Sequence, residues 1–141
     1  MPSAGVYLAF DFGMKRIGSA VGQLVTRQAK PLTNIAAKDG VPDWHVCDKL
    51  MATWDPEGLV VGLPLNMDGS EQWTTEAAKD FASSLGERYD LPVHLSDERL
   101  TTKAAKEHIF EQGGFSALKK ADIDSVAAAI ILQHWLERHD R

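Results

Sequence analysis

Cysteine is almost absent from this sequence. Cys47 is the only one in 141 residues, which excludes an internal disulfide and a thiol metal cluster and leaves the residue as a small apolar group for a core. Long hydrophobic runs are also missing. The longest, "VAAAIIL" at 126–132, is far too short to span a bilayer, and the first residues lack the basic-then-apolar layout of a signal peptide. The expectation is a cytoplasmic protein with no membrane partner. No repeat, low-complexity tract or Ser/Pro-rich linker interrupts the chain, so residues 1–141 are expected to form a single domain. There is no excess of positive charge. With 15 basic and 20 acidic residues the formal charge is −5, which argues against broad adhesion to polyanions. It leaves room for a nucleic-acid enzyme in which divalent cations offset clustered carboxylates. Five histidines are present, none paired at metal-ligand spacing. No chemistry falls to them, and His94 reads as a packed strand residue.

What is present is an ordered alternation of periodicities. "VYLAFDF", "IGSAVGQLV" and roughly "AKPLTNIAA" read as three β segments joined by short turns, an antiparallel meander. "VPDWHVCDKLMATW" then places Trp44, Cys47, Leu50, Met51 and Trp54 on one helix face before "DPEG" stops it. "GLVVGLPL" is a short apolar run of the buried parallel-strand kind. Residues 70–89 read as a helix with Trp73, Ala77, Phe81 and Leu85 inward, "LPVHLSDE" as a strand, and two helices follow from about Thr101 and about Asp122. The pattern is β-β-β-α-β-α-β-α-α, a mixed sheet with helices on both faces. In such open sheets ligands gather at the carboxyl ends of the parallel strands.

One residue breaks the apolar logic of the first strand. Asp11 sits inside "YLAFDFG", and an ionised carboxylate there is costly unless a cation, a donor or a metal compensates it. The residues after it, Gly13, Lys15, Arg16 and Gly18, describe a tight turn that a phosphate could approach. Two further acidic points fall where the same sheet edge would be: Asp97 and Glu98 at the end of the last strand, and Asp122 and Asp124 at the start of the last helix. Because side chains alternate along a strand, only one of Asp97 and Glu98 should face the site, and spacing does not choose between them. Asp122 also suits a helix N-cap, and Asp124 a first-turn position favoured by the helix dipole. Three distant acidic points are what two hard divalent cations about 4 Å apart would need in order to clamp a phosphodiester.

The motifs "DFGMKRIGSAVG", "VVGLPLNMDGSE", "DERLTT", "FEQGG" and "DSVAAAIIL", in that order over nearly the whole chain, resemble the YqgF family of Holliday junction resolvase-like nucleases, also described as pre-16S ribosomal RNA nucleases. The resemblance implies an α/β ribonuclease H-like fold, a mixed five-stranded sheet of order 3-2-1-4-5 with helices on both faces. It also selects Asp11, Glu98 and Asp124 as the catalytic and metal-binding carboxylates. The implied cofactor is Mg²⁺ or Mn²⁺, as a two-ion site, and the implied reaction is metal-assisted hydrolysis of a phosphodiester bond. Lys15, Arg16 and Arg99 would hold phosphates, and Asn66 of "LPLNMDG" would contact substrate. Precursor ribosomal RNA is the expected partner, with branched DNA or a non-catalytic binding module as alternatives, and the protein is expected to be a monomer or weak homodimer. Two departures from the family pattern stand out. Ser19 takes a position more often apolar, and the second last-helix Asp of true junction resolvases has no clear counterpart. "DFGMKRIG" is also similar to the first phosphate loop of actin-like ATPases, but those enclose their nucleotide with a second lobe for which this chain has no room.

Overall fold

The structure, a computed structural model, describes residues 5–63, 73–97 and 120–138. Its centre is β1 (Val6–Asp11), a strand with almost every side chain withdrawn from water. β2 (Arg16–Gln23) runs antiparallel to it, while β6 (Gly58–Leu63) lies parallel on its other side and β7 (Val93–Asp97) lies parallel to β6. This is the hairpin-plus-parallel arrangement expected from the order of elements.

The third strand corrects that expectation. In place of one strand over "AKPLTNIAA" there are two, β3 (Gln28–Pro31) and β4 (Ile35–Lys38), both paired to β2 at different points along its length. A further two-residue strand, β5 (Val41–Pro42), folds back on β4, so among the described residues the sheet has seven strands rather than five. The break has a local cause. Pro31 has no N–H to continue the ladder, and Ser19 of β2 ties down the residues that leave it. The Ser19 carbonyl accepts from Leu32 N at 2.8 Å, and its buried hydroxyl donates to the Thr33 carbonyl at 2.5 Å. Ser19 is therefore a fully satisfied polar residue inside the core. The turn into β5 is Asp39-Gly40, both at positive φ (52° and 83°), the pair a two-residue hairpin favours.

The two faces of the sheet are covered differently. On one, Leu8, Phe10, Ile17, Leu59 and Val61 pack against α1 (Trp44–Trp54) and α2 (Trp73–Tyr89), with Phe10 and Phe81 meeting edge to face at 5.8 Å. α1 starts at Asp43, whose carboxylate accepts from His45 N, and ends at Asp55 in the left-handed conformation, as "DPEG" suggested. Cys47 is buried here, and burial pushes its thiol up to about 12, which keeps it inert at neutral pH.

On the other face, among the described residues, a single helix, α3 (Lys120–Arg138), lies across Ala9, Ala20 and Val60 through Ala128, Ile131, Leu132, Trp135 and Leu136. His94 stacks near Trp135 at 4.9 Å, a packed strand residue as expected. The helix expected from about Thr101 lies outside the described residues. Because α3 begins at Lys120, Asp122 is within its first turn rather than at its N-cap, and Asp124, the fifth helical residue, is past the turn where the dipole acts most. Among the described residues no helix is long and apolar enough to cross a membrane.

Candidate nuclease site

Asp11 closes β1 at the carboxyl end of the sheet, half-buried, opposite Gly18 of β2 and Gly62 of β6. Strand alternation puts it on the face of Tyr7 and Ala9, the face that α3 covers. Gly18 then brings in the second acid. A Cβ on Gly18 would overlap the backbone carbonyl of Asp124, so only glycine lets the start of α3 settle directly on β2 here. Gly22, further along the same face, stands close to Leu132 and Leu136 in the same way. The glycine opposite Asp11 in the sheet is thus the glycine against which Asp124 packs. Two carboxylates 113 positions apart arrive at one end of one face of the sheet.

Arg16 joins them. Its Nε donates to Asp124 Oδ2 at 3.0 Å, with 40% of the Arg16 side chain and 27% of the Asp124 side chain exposed. The residue expected to hold phosphate therefore pairs with one of the expected metal ligands. Beside Asp124, the Ser125 hydroxyl, buried, donates to Asn34 Oδ1 at 2.5 Å, while Asn34 Nδ2, shielded from water, has no partner among the described residues. This bond ties α3 to the break between β3 and β4. Lys15 is exposed on the β1–β2 turn, where Gly13 permits the carbonyl of Arg16 to come close. Glu98, Arg99 and Asn66 lie outside the described residues.

Reasoning from sequence gave no role to Asn34 or Ser125. "DSVAA" displayed the serine, yet its partner lies 91 positions earlier, and only the crossing of α3 over the broken strand unites them. As a donor set, Asp11 and Asp124 supply hard carboxylate oxygens, which suit Mg²⁺ or Mn²⁺ and would suit a soft cation poorly. Among the described residues no three His, Cys, Asp or Glu side chains are grouped closely enough to hold an ion alone. The described part of the site is two carboxylates, which fits a hard cation that draws a further ligand from elsewhere.

A central strand ending in Asp, a hairpin on one side, parallel strands on the other and a helix crossing the carboxylate end define an α/β fold of the RuvC-like resolvase class, the ribonuclease H-like kind. Solved structures agree at the level of fold. Thermus thermophilus RuvC in complex with a Holliday junction substrate superposes with a TM-score of 0.54 at 16% identity, covering 95% of this chain and 94% of that one. The fowlpox virus resolvase bound to Holliday junction DNA gives 0.57 at 10% identity, over 94% and 97%.

The chain belongs to the RuvX family, described as Holliday junction resolvase, whose sequence pattern it matches over residues 5–138. Among its relatives, one from Legionella pneumophila (strain Paris) is 53% identical over 136 residues, 96% of this chain and 98% of that protein. Another, from Actinobacillus pleuropneumoniae serotype 5b, is 55% identical over 134 residues, 95% and 98% of the two chains. Both are named as candidate pre-16S rRNA nucleases. The resemblance read from the motifs is borne out: this is a nuclease family, and its members hydrolyse phosphodiester bonds.

Proposed function

We propose that this protein is a divalent-cation-dependent nuclease that trims precursor 16S ribosomal RNA in the cytoplasm, with its site at the carboxyl end of the sheet. The observation that carries this reading is the meeting of Asp11 and Asp124 across Gly18. Asp11 and Asp124 set hard carboxylate oxygens at one end of one face of the sheet, the donor type a divalent cation takes. Asp11, Asp124 and Glu98 would hold Mg²⁺ or Mn²⁺, and the ions would supply charge stabilisation to the phosphorane-like transition state and acidify the attacking water. The chain itself does the rest. Asp11 presents its carboxylate from a backbone paired on both sides of β1. The Ser125–Asn34 bond holds the turn of α3 that carries Asp124. Lys15 on the neighbouring turn, with Arg99 and Asn66, would hold the phosphates flanking the cut, setting position more than chemistry.

A second reading, cleavage of branched DNA, is favoured by the family's description and by the junction-bound resolvases that share the fold. The two are separated by offering the purified protein, with Mg²⁺, a labelled 5′-extended 16S precursor and a labelled four-way DNA junction. The rRNA reading expects cuts in the precursor that a chelator abolishes, and an intact junction. Cuts in the junction alone would overturn it.

A further inference from the structure

The ion pair between Arg16 and Asp124 is at odds with a site that only waits for metal. A guanidinium and a divalent cation gathered on one carboxylate repel each other, and Arg16 Nε already stands 3.0 Å from Asp124 Oδ2. Nor does the pair look like a necessity of folding. With 40% and 27% of the two side chains exposed, it belongs to the class of ion pairs that contribute little to stability. The elements it links are already joined by the close approach at Gly18, by the Ser125–Asn34 bond, and at the far end by Gln133, which accepts from Ala29 N and donates to the Arg27 carbonyl. What the pair does achieve is to bring a positive charge to the Asp124 carboxylate while no metal is bound.

We propose that Arg16 is a stand-in cation. In the metal-free protein its guanidinium occupies Asp124; a divalent ion entering at Asp124 displaces it, and the freed guanidinium turns to a phosphate of the bound nucleic acid. Arg16 starts β2, two residues from the glycine that faces Asp11, so its long, partly exposed side chain can swing at the mouth of the site without moving the strand. A guanidinium suits both partners, since it matches carboxylate and phosphate oxygens alike. Metal loading and nucleic-acid binding are then coupled, each favouring the other by the same factor. The inference rests on the nuclease reading of this site and adds an order of events: a phosphate-binding group becomes available only once the cation is in place.

The test compares wild type with Arg16→Gln, which removes the charge and keeps much of the length, and with Arg16→Lys, which keeps the charge. Mn²⁺ binding is measured by calorimetry. Binding of a phosphorothioate-linked RNA oligonucleotide is measured by anisotropy across a salt series, with and without Mn²⁺. Arg16→Gln should bind Mn²⁺ roughly two- to five-fold more tightly, because the ion no longer displaces a competitor worth about that much at a partly exposed site. Arg16→Lys should stay near wild type. In wild type, Mn²⁺ should steepen the salt dependence of RNA binding by about one unit, because the freed guanidinium neutralises one more phosphate, and in Arg16→Gln this increment should vanish. Should Arg16→Gln bind Mn²⁺ no more tightly than wild type, or keep the increment, the stand-in role is overturned and the nuclease reading is left untouched. Should folded wild type bind no Mn²⁺, the cation site falls and the stand-in role falls with it.

Discussion

The two faces of the sheet are built on opposite principles. Toward α1 and α2 the strands present large side chains, Leu8, Phe10, Ile17, Leu59 and Val61, and the contact is a broad apolar layer. Toward α3 they present Ala9, Gly18, Ala20 and Gly22, and the helix comes down almost onto the β2 backbone. The first arrangement maximises buried apolar area, the main source of folding free energy. The second gives up side-chain volume to fix a distance, the one between α3 and the end of β1 where Asp11 and Asp124 meet. Both faces bury apolar side chains, and the close backbone approach that positions the site belongs to the second.

That division can be broken from either side. The largest effect is expected at the site. Asp11→Asn keeps the side chain's shape but removes its charge, and losing several kcal/mol of cation-borne transition-state stabilisation should slow cleavage by about a thousandfold in a labelled-oligonucleotide assay. Its melting temperature without metal should stay near that of wild type, since the substitution keeps the shape of a half-buried side chain. Next comes the apolar face. Phe81→Ala removes the ring that meets Phe10 and Phe12 and should cost about 3–5 kcal/mol in denaturant titrations. Mn²⁺ affinity of the fraction still folded should not change. Gly18→Ala reverses that signature. Its new methyl meets the backbone of Asp124 and Ser125, so it should cost about 1–3 kcal/mol and, unlike Phe81→Ala, weaken Mn²⁺ binding measured by calorimetry. Equal effects of the two variants on Mn²⁺ affinity would erase the distinction between the faces.

The smallest effect belongs to the surface clasp between α1 and α2. Arg88 binds Asp48 through Nε at 3.0 Å and Nη2 at 2.9 Å, the Tyr89 hydroxyl donates to the same carboxylate at 2.7 Å, and the guanidinium lies 4.8 Å above the Trp44 ring. These bonds, first those from Arg88 and then that from Tyr89, draw the Asp48 carboxyl down to about 2. Because the folded value lies below the unfolded one, the clasp's contribution is complete above about pH 4 and fades as pH falls toward 2. Asp48→Asn should therefore flatten the acid limb of the stability curve slightly, measured by melting between pH 2 and 5, and leave cleavage at neutral pH unchanged.

How far the sequence foretold this molecule depended on the range of the interaction. Asp11 was legible because a carboxylate inside "YLAFDFG" has few structural uses, and the order of strands and helices was legible because periodicity is a local signal. The break in the third strand was not, since apolar spacing runs through "AKPLTNIAA". Only Pro31 hinted at it, while the buried Ser19 hydroxyl that secures it looked like an anomaly of packing. The Asp39-Gly40 hairpin was written plainly in its dipeptide and was passed over. The Arg16–Asp124 pair could not have been read at all. Its partners are 108 positions apart, and they meet only because the absence of a side chain at Gly18 lets a helix touch a strand.

Anomalous diffraction from crystals of the protein soaked in Mn²⁺ would test the cation site most directly. At least one peak should appear bound by carboxylate oxygens of both Asp11 and Asp124, at about 2.1–2.2 Å, with the Arg16 guanidinium moved off Asp124 Oδ2. Manganese bound only elsewhere on the surface, with the Arg16–Asp124 pair intact in crystals of protein that still cleaves RNA, would refute a cation shared by these two carboxylates.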